Sequence, residues 1–159
     1  METNEGTKGL YFDESEEIEE IPETSKKHLA FCSDGIRFAI AYDFVIEIIN
    51  ELSITTLPKV PGYIEGIINL RGQVIPIMDV RLRMNHMKGE VNSKVCIIVI
   101  QVEDTVIGLL VDEVLQMIDV EDGSVMPPPL SQRQEYVNGI IRLNGVIYFI
   151  LDCESLIAV

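Results

Sequence analysis

Asp79 and Asp152 stand 73 residues apart, each closing a similar apolar run. Duplicated lobes that bring two carboxylates together are the machinery of aspartic proteases, where like charges in contact share one proton. Neither residue sits in an Asp-Thr/Ser-Gly turn, however. Each precedes a short stretch with helical potential, Val80-Arg81-Leu82-Arg83-Met84 and Cys153-Glu154-Ser155-Leu156-Ile157. An aspartate there accepts bonds from unpaired backbone N–H groups as an N-cap, worth about 1 kcal/mol. The caps are preferred over catalysis, Asp43 and Asp112 are read likewise, and no catalytic residue is assigned.

Other chemistry finds little support. The chain has no Gly-x-Gly-x-x-Gly, Gly-Lys-Ser/Thr, His-Glu-x-x-His or Cys-x-x-Cys string, so no phosphate loop, zincin helix or thiol pair is indicated. His28 and His86, 58 residues apart, read as surface histidines, and neither a metal nor a cofactor is expected. Cys32, Cys96 and Cys153 are odd in number and widely spaced. They are expected to be free, partly buried thiols of a reducing cytosol.

The run that ends in Asp79 belongs to a repeat. YIEGIINLRGQVIPIMD (63–79) and YVNGIIRLNGVIYFILD (136–152) are identical at 8 of 17 positions. Upstream, GIRFAIAYDFVIEII (35–49) aligns with DTVIGLLVDEVLQMI (104–118). What the fold requires should occur in both copies, whereas a functional residue is free to occur in one. Gly66/Gly139, Gly72/Gly145 and the aspartates pass as structural. Glu47, Glu65 and Arg71 face Gln116, Asn138 and Asn144, so three charges in the first copy are neutral in the second. They mark a functional surface, or else drift on a solvated face.

Elements that position these residues are β throughout. Ile36, Phe38, Ile40 and Tyr42 alternate with Arg37, Ala39 and Ala41, the period of a half-buried strand. Ser33-Asp34-Gly35 joins 28–33 to 36–42 as a hairpin. Arg71-Gly72 joins 66–71 to 73–78, Asn144-Gly145 joins 137–143 to 146–151, and Glu103-Asp104 joins 95–103 to 105–112. Pro76 cannot donate to a ladder, which puts its strand at an edge or a bulge. Pro127-Pro128-Pro129 predicts an extended connection.

Charge excludes two partner classes. The net charge is -14, and no Lys or Arg occurs between Lys94 and Arg133, so clustered cations for nucleic acid or an anionic membrane surface are missing. No secretory signal or membrane-length apolar run is visible, and a cytoplasmic location without membrane insertion is expected. Residues 1–26 are acidic and without apolar period, which predicts a disordered tail dispensable for folding. The remainder, 27–159, is expected to form two small lobes, about 28–93 and 94–157, that pack together with strand exchange between them open.

Gly66-Ile67-Ile68-Asn69-Leu70-Arg71-Gly72 with Val74-Ile75-Pro76-Ile77-Met78-Asp79-Val80-Arg81, and Gly108-Leu109-Leu110-Val111-Asp112-Glu113-Val114, resemble the signature of the CheW-like chemotaxis coupling domain. The resemblance covers about residues 28–157. It implies an all-β fold of two SH3-like five-stranded barrel subdomains, and a non-enzymatic adaptor that bridges membrane chemoreceptors to the regulatory domain of the histidine kinase CheA. A coupling protein of another chemosensory pathway, for motility or surface sensing, is the alternative. By this resemblance Val45, Glu47, Gly66 and Arg71 contact the receptor. Kinase contact falls on apolar subdomain ends, with no individual residues assigned. The acidic extension departs from the compact family pattern.

Overall fold

In a computed structural model, the described residues are 25–50, 53–84, 95–128 and 135–158. The expectations for residues 1–24 of the acidic tail, His86 and Pro129 lie outside them, whereas Ser25 and Lys26, assigned to the tail, pair with Glu121 and Val120 at the start of the first strand. The described residues form ten strands: β1 (Ser25–Ser33), β2 (Ile36–Ala41), β3 (Val45–Ile49), β4 (Ile64–Leu70), β5 (Gln73–Asp79), β6 (Cys96–Val102), β7 (Thr105–Val111), β8 (Glu113–Glu121), β9 (Val137–Leu143) and β10 (Val146–Leu151). Two short helices, α1 (Val80–Arg83) and α2 (Cys153–Ile157), follow β5 and β10.

The four hairpins arise from local turn chemistry. Asp34–Gly35, Arg71–Gly72 and Asn144–Gly145 have positive φ at both residues, the backbone that matches the twist of two-residue hairpins. At Glu103–Asp104 only Glu103 has positive φ among the two.

The strands sort into two five-stranded sheets, ordered β8-β1-β2-β10-β9 and β3-β6-β7-β5-β4. Each sheet therefore combines the first hairpin of one repeat with the last three strands of the other. The chain crosses between sheets at the 3-10 turn Tyr42–Phe44 and again at Asp112. Neither strand ladder closes on itself. Instead, the segment leaving one edge strand reaches the opposite edge through an isolated bridge, Thr55 with Ile67 in one sheet and Met126 with Ile140 in the other.

Three apolar clusters result, because central strands are buried on both faces. Phe31, Phe38, Ile40, Ile98, Ile100 and Leu109 meet in a core between the sheets. Ala30, Ala39, Ile141 and Ile150 fill the concave side of the first sheet, and Ile68, Ile75, Ile77, Ile97 and Val99 that of the second. Burying side chains of this size stabilises by about 1.5–3 kcal/mol each. Strand β2 thus departs from the half-buried expectation. Ala39 is small enough to face the second core, while Tyr42 falls in the 3-10 turn and is 47% exposed.

Pro76 lies in β5, an interior strand, and not at an edge or at a bulge of its own. Its partner Ile67 directs both backbone groups to Thr55, so Pro76 occupies a position that does not hydrogen-bond to β4. On its other side the parallel ladder to β7 begins only at Ile77. The missing N–H leaves nothing unpaired among these ladders.

Candidate partner-binding site

Arg71 is the first residue of the β4–β5 turn, with φ at 53°. Asn144, its counterpart, has φ at 51°. Asparagine tolerates this left-handed backbone because its short amide bonds locally, whereas arginine has no such relief. Asn69 supplies it instead, its Oδ1 accepting from the Gly72 N–H at 3.0 Å.

The guanidinium reaches across to β3. Nη1 of Arg71 donates to Oε1 of Glu47 at 2.7 Å, and Nη2 to Oε2 at 3.0 Å. This two-point geometry is the most directional pairing that arginine and a carboxylate make. The hydrogen bond from Arg71 is the main cause that holds the Glu47 carboxyl below its ordinary range, opposed by partial desolvation and aided by the arginine charge. The same pair raises Arg71. Strands β3 and β4 are opposite edges of one sheet, so the ion pair joins edges that share no ladder. Gln116 and Asn144, in the second repeat, are neutral and cannot form it.

Among the other residues singled out, Val45 is half-buried against the central core. Ile46 and Ile48 flank Glu47 along β3 and are 50% and 40% exposed. Gly66 is buried in β4, where a Cβ would come within 2.1 Å of the Thr55 carbonyl oxygen. It acts through backbone: any side chain would push apart the Thr55–Ile67 bridge. A Cβ on Gly139 would likewise come within 2.9 Å of the Met126 carbonyl oxygen and 2.6 Å of a Val125 methyl carbon. Glu65 lies where β4 shifts register, at the end of the strand remote from Arg71.

The aspartates are committed to the chain itself. Oδ1 of Asp79 accepts from the Arg81 N–H, and Oδ2 lies 3.4 Å from Nη2 of Arg81. Asp152 accepts from the Glu154 and Ser155 N–H groups and from the Ser155 hydroxyl. Two of the four expected caps need correction. Asp43 sits inside the 3-10 turn, whose cap position is Ala41 with no side-chain bond. Asp112 accepts from the Asp34 N–H at 2.9 Å, pinning the β1–β2 turn from the crossover.

His28 is not on the surface. It is 8% exposed in β1, and burial depresses its pKa. Among the described residues no group of three or more His, Cys, Asp or Glu is placed to hold a metal ion. Cys32, Cys96 and Cys153 are free, the last two buried, and burial pushes the Cys153 thiol up to about 12. No helix of the described residues is long and apolar enough to cross a membrane.

Sequence reasoning missed Arg83. Its guanidinium lies 4.5 Å from the Tyr63 ring centre and 4.7 Å from that of Tyr136. It also donates to the carbonyls of Leu156 and Ala158. The available signal was the tyrosine shared by both repeats; nothing in the sequence tied an arginine to it.

Comparison with known proteins agrees with this architecture. The family model described as a CheW-like domain matches residues 27–159. The chain is 32% identical over 130 residues to the chemotaxis protein CheW of Rhizobium meliloti (strain 1021), covering 80% of this chain and 84% of that protein. It is 29% identical over 137 residues to the CheW of Bacillus subtilis (strain 168), covering 84% and 88%. Among solved structures, the scaffolding protein TtCheW from Thermoanaerobacter tengcongensis superposes with a TM-score of 0.77 at 31% identity, covering 84% of this chain and 93% of that one. A family match over residues 27–159 and an architecture of two five-stranded sheets carry one conclusion: the chain belongs to the CheW-like family of chemotaxis coupling and scaffold proteins.

Proposed function

We propose that this chain is a non-enzymatic adaptor that holds a chemoreceptor's cytoplasmic tip and the regulatory domain of the kinase CheA at separate surfaces, on the cytoplasmic side of the membrane. The corner of β3 and the β4–β5 turn, carrying Val45, Glu47 and Arg71, is the receptor surface, and Gly66, farther along β4, supports it by admitting the Thr55–Ile67 bridge. The observation behind this reading is the Arg71–Glu47 ion pair, built in one repeat, replaced by neutral residues in the other, and flanked by exposed Ile46 and Ile48.

The ion pair fixes the guanidinium, so little side-chain freedom is lost when a partner arrives. Arginine has five N–H donors, and Glu47 takes only two of them. The remaining donors are directed at carbonyls or a carboxylate of a receptor helix. For the kinase, Val74 and Ile147 are candidates. They occupy equivalent positions at the start of β5 and β10 and are 58% and 39% exposed.

Co-sedimentation tests the reading. With receptor-bearing membranes, CheA should appear in the pellet only when this chain is added. A receptor hairpin and the kinase regulatory domain should bind the chain together in one ternary complex. Mutual competition between them would sink the two-surface proposal.

A further inference from the structure

Arg142 in β9 is a charge found only in the second repeat, standing where the first has Asn69 in β4. Both are exposed, and each is opposed across its hairpin to an exposed apolar residue, Asn69 to Val74 and Arg142 to Ile147. Asn69 serves its own turn, its Oδ1 accepting from the Gly72 N–H at 3.0 Å. Arginine has no acceptor, so Arg142 cannot serve Gly145 in that way. Among the described residues Arg142 makes no hydrogen bond, ion pair or ring contact.

Its surroundings are more apolar than the equivalent face of the first repeat. Cross-strand partners share one side of a sheet, and so do residues two apart along a strand. Arg142 and Ile147 therefore lie beside the Ile140–Phe149 pair, and Met126 continues that row through its bridge to Ile140. Met126 is 49% and Ile147 39% exposed, while Ile140 and Phe149 are half-buried. In the first repeat the matching row is Thr55, Ile67 and Pro76.

Resting on the reading of Ile147 as a kinase contact, we propose that Arg142 is a specificity residue of that contact. It takes a carboxylate that borders an apolar side chain on the CheA regulatory domain, and so distinguishes the second-repeat face from the Val74 face of the first. A chain of net charge -14 repels acidic groups, so a carboxylate is accepted only where a local cation outweighs that field. An unpaired guanidinium beside apolar side chains supplies such a point, because excluding water as the surfaces close strengthens the pair. No ion pair among the described residues has to break first. At the Val74 face the same carboxylate would meet Asn69, which is uncharged and whose oxygen is already engaged. The two faces have matched strand pairing and unlike charge, which keeps a partner's acidic end from the wrong one.

Titrations of the full chain with the CheA regulatory domain, at low and at raised salt, test this. Arg142→Asn copies the first repeat and, as an exposed substitution, should leave the melting midpoint in place. Its affinity for the regulatory domain should fall about tenfold or more at low salt, and the difference from the parent should shrink as salt rises. A receptor hairpin should bind as before. Parent-like binding of the regulatory domain by Arg142→Asn at both salt concentrations would overturn the inference. Ile147→Asp and Val74→Asp separate that result from failure of the kinase reading itself. If Ile147→Asp weakens kinase binding and Arg142→Asn does not, the kinase face stands and the role of Arg142 falls. If neither aspartate variant weakens it, the kinase face falls as well.

Discussion

Tyr63 and Tyr136 occupy the same position in the two repeats, and both rings pack on the single guanidinium of Arg83. Their carbonyls also play matched parts, accepting from the N–H groups of Asp79 and Asp152 at 2.8 Å. The symmetry ends at the arginine, because the residue at that position in the second repeat is Leu156. Arg83 in turn bonds the Leu156 carbonyl, so one side chain ties α1 to the end of α2.

Replacing Arg83 should loosen this junction. Arg83→Gln keeps a polar side chain but loses the cation–π contacts and at least one of the two carbonyl bonds. A loss of about 1–3 kcal/mol is expected, together with faster amide hydrogen exchange over residues 153–158. An unchanged melting curve would show that the contacts contribute little.

Gly66 and Gly123 give opposite expectations for the same substitution. Gly66→Ala puts a methyl where the Thr55 carbonyl oxygen is 2.1 Å away, while Gly123 has nothing within 4 Å. Gly66→Ala should cost about 2–4 kcal/mol, in the range of steric insertion at a special backbone position, and Gly123→Ala should stay within about 0.5 kcal/mol. Thermal or denaturant unfolding of both variants decides it. If Gly66→Ala is neutral, close approach does not explain the glycine.

His28 makes stability depend on pH. Burial, the largest cause, lowers its pKa; the Lys26 carbonyl and Asp43 raise it, and the Lys26 charge lowers it. The folded state therefore resists protonation more than the unfolded state does. This contribution is complete above the unfolded value of 6.5 and is lost progressively as pH falls below it toward the depressed folded value. His28→Gln should flatten the melting midpoint between about pH 7 and pH 5.5. Equal slopes for both proteins would contradict the assignment.

How much of this was legible in the sequence depends on the range of the interaction. Hairpins at Asp34-Gly35, Arg71-Gly72 and Asn144-Gly145 were readable because two residues fix a turn. Strand exchange between the lobes was left open by the repeat, but its partners were not readable, since β1 finds β8 across more than eighty residues and no local pattern records that choice. Ala39 was assigned to the outer face because size and polarity were read together, and a second core made a small residue the right one. For the site, comparing repeats picked out Glu47 and Arg71 by type. Their pairing was invisible, because it joins opposite sheet edges and depends on how far the sheet curls. Asp112 and Arg83 act through contacts of the same long-range kind.

Receptor affinity of Arg71→Asn tests the central claim most directly. Asn144 shows that this fold accepts asparagine at such a turn, so the melting midpoint should move by no more than a few degrees. Asn144→Ala is the companion variant: it should lower the midpoint through its turn and leave receptor affinity alone. Titration with a receptor hairpin should show Arg71→Asn binding weakened about tenfold or more, the effect of losing a charge-assisted bond. Binding to the CheA regulatory domain should be unchanged. Receptor binding equal to that of the parent chain would contradict the account and return Arg71 to the solvated surface.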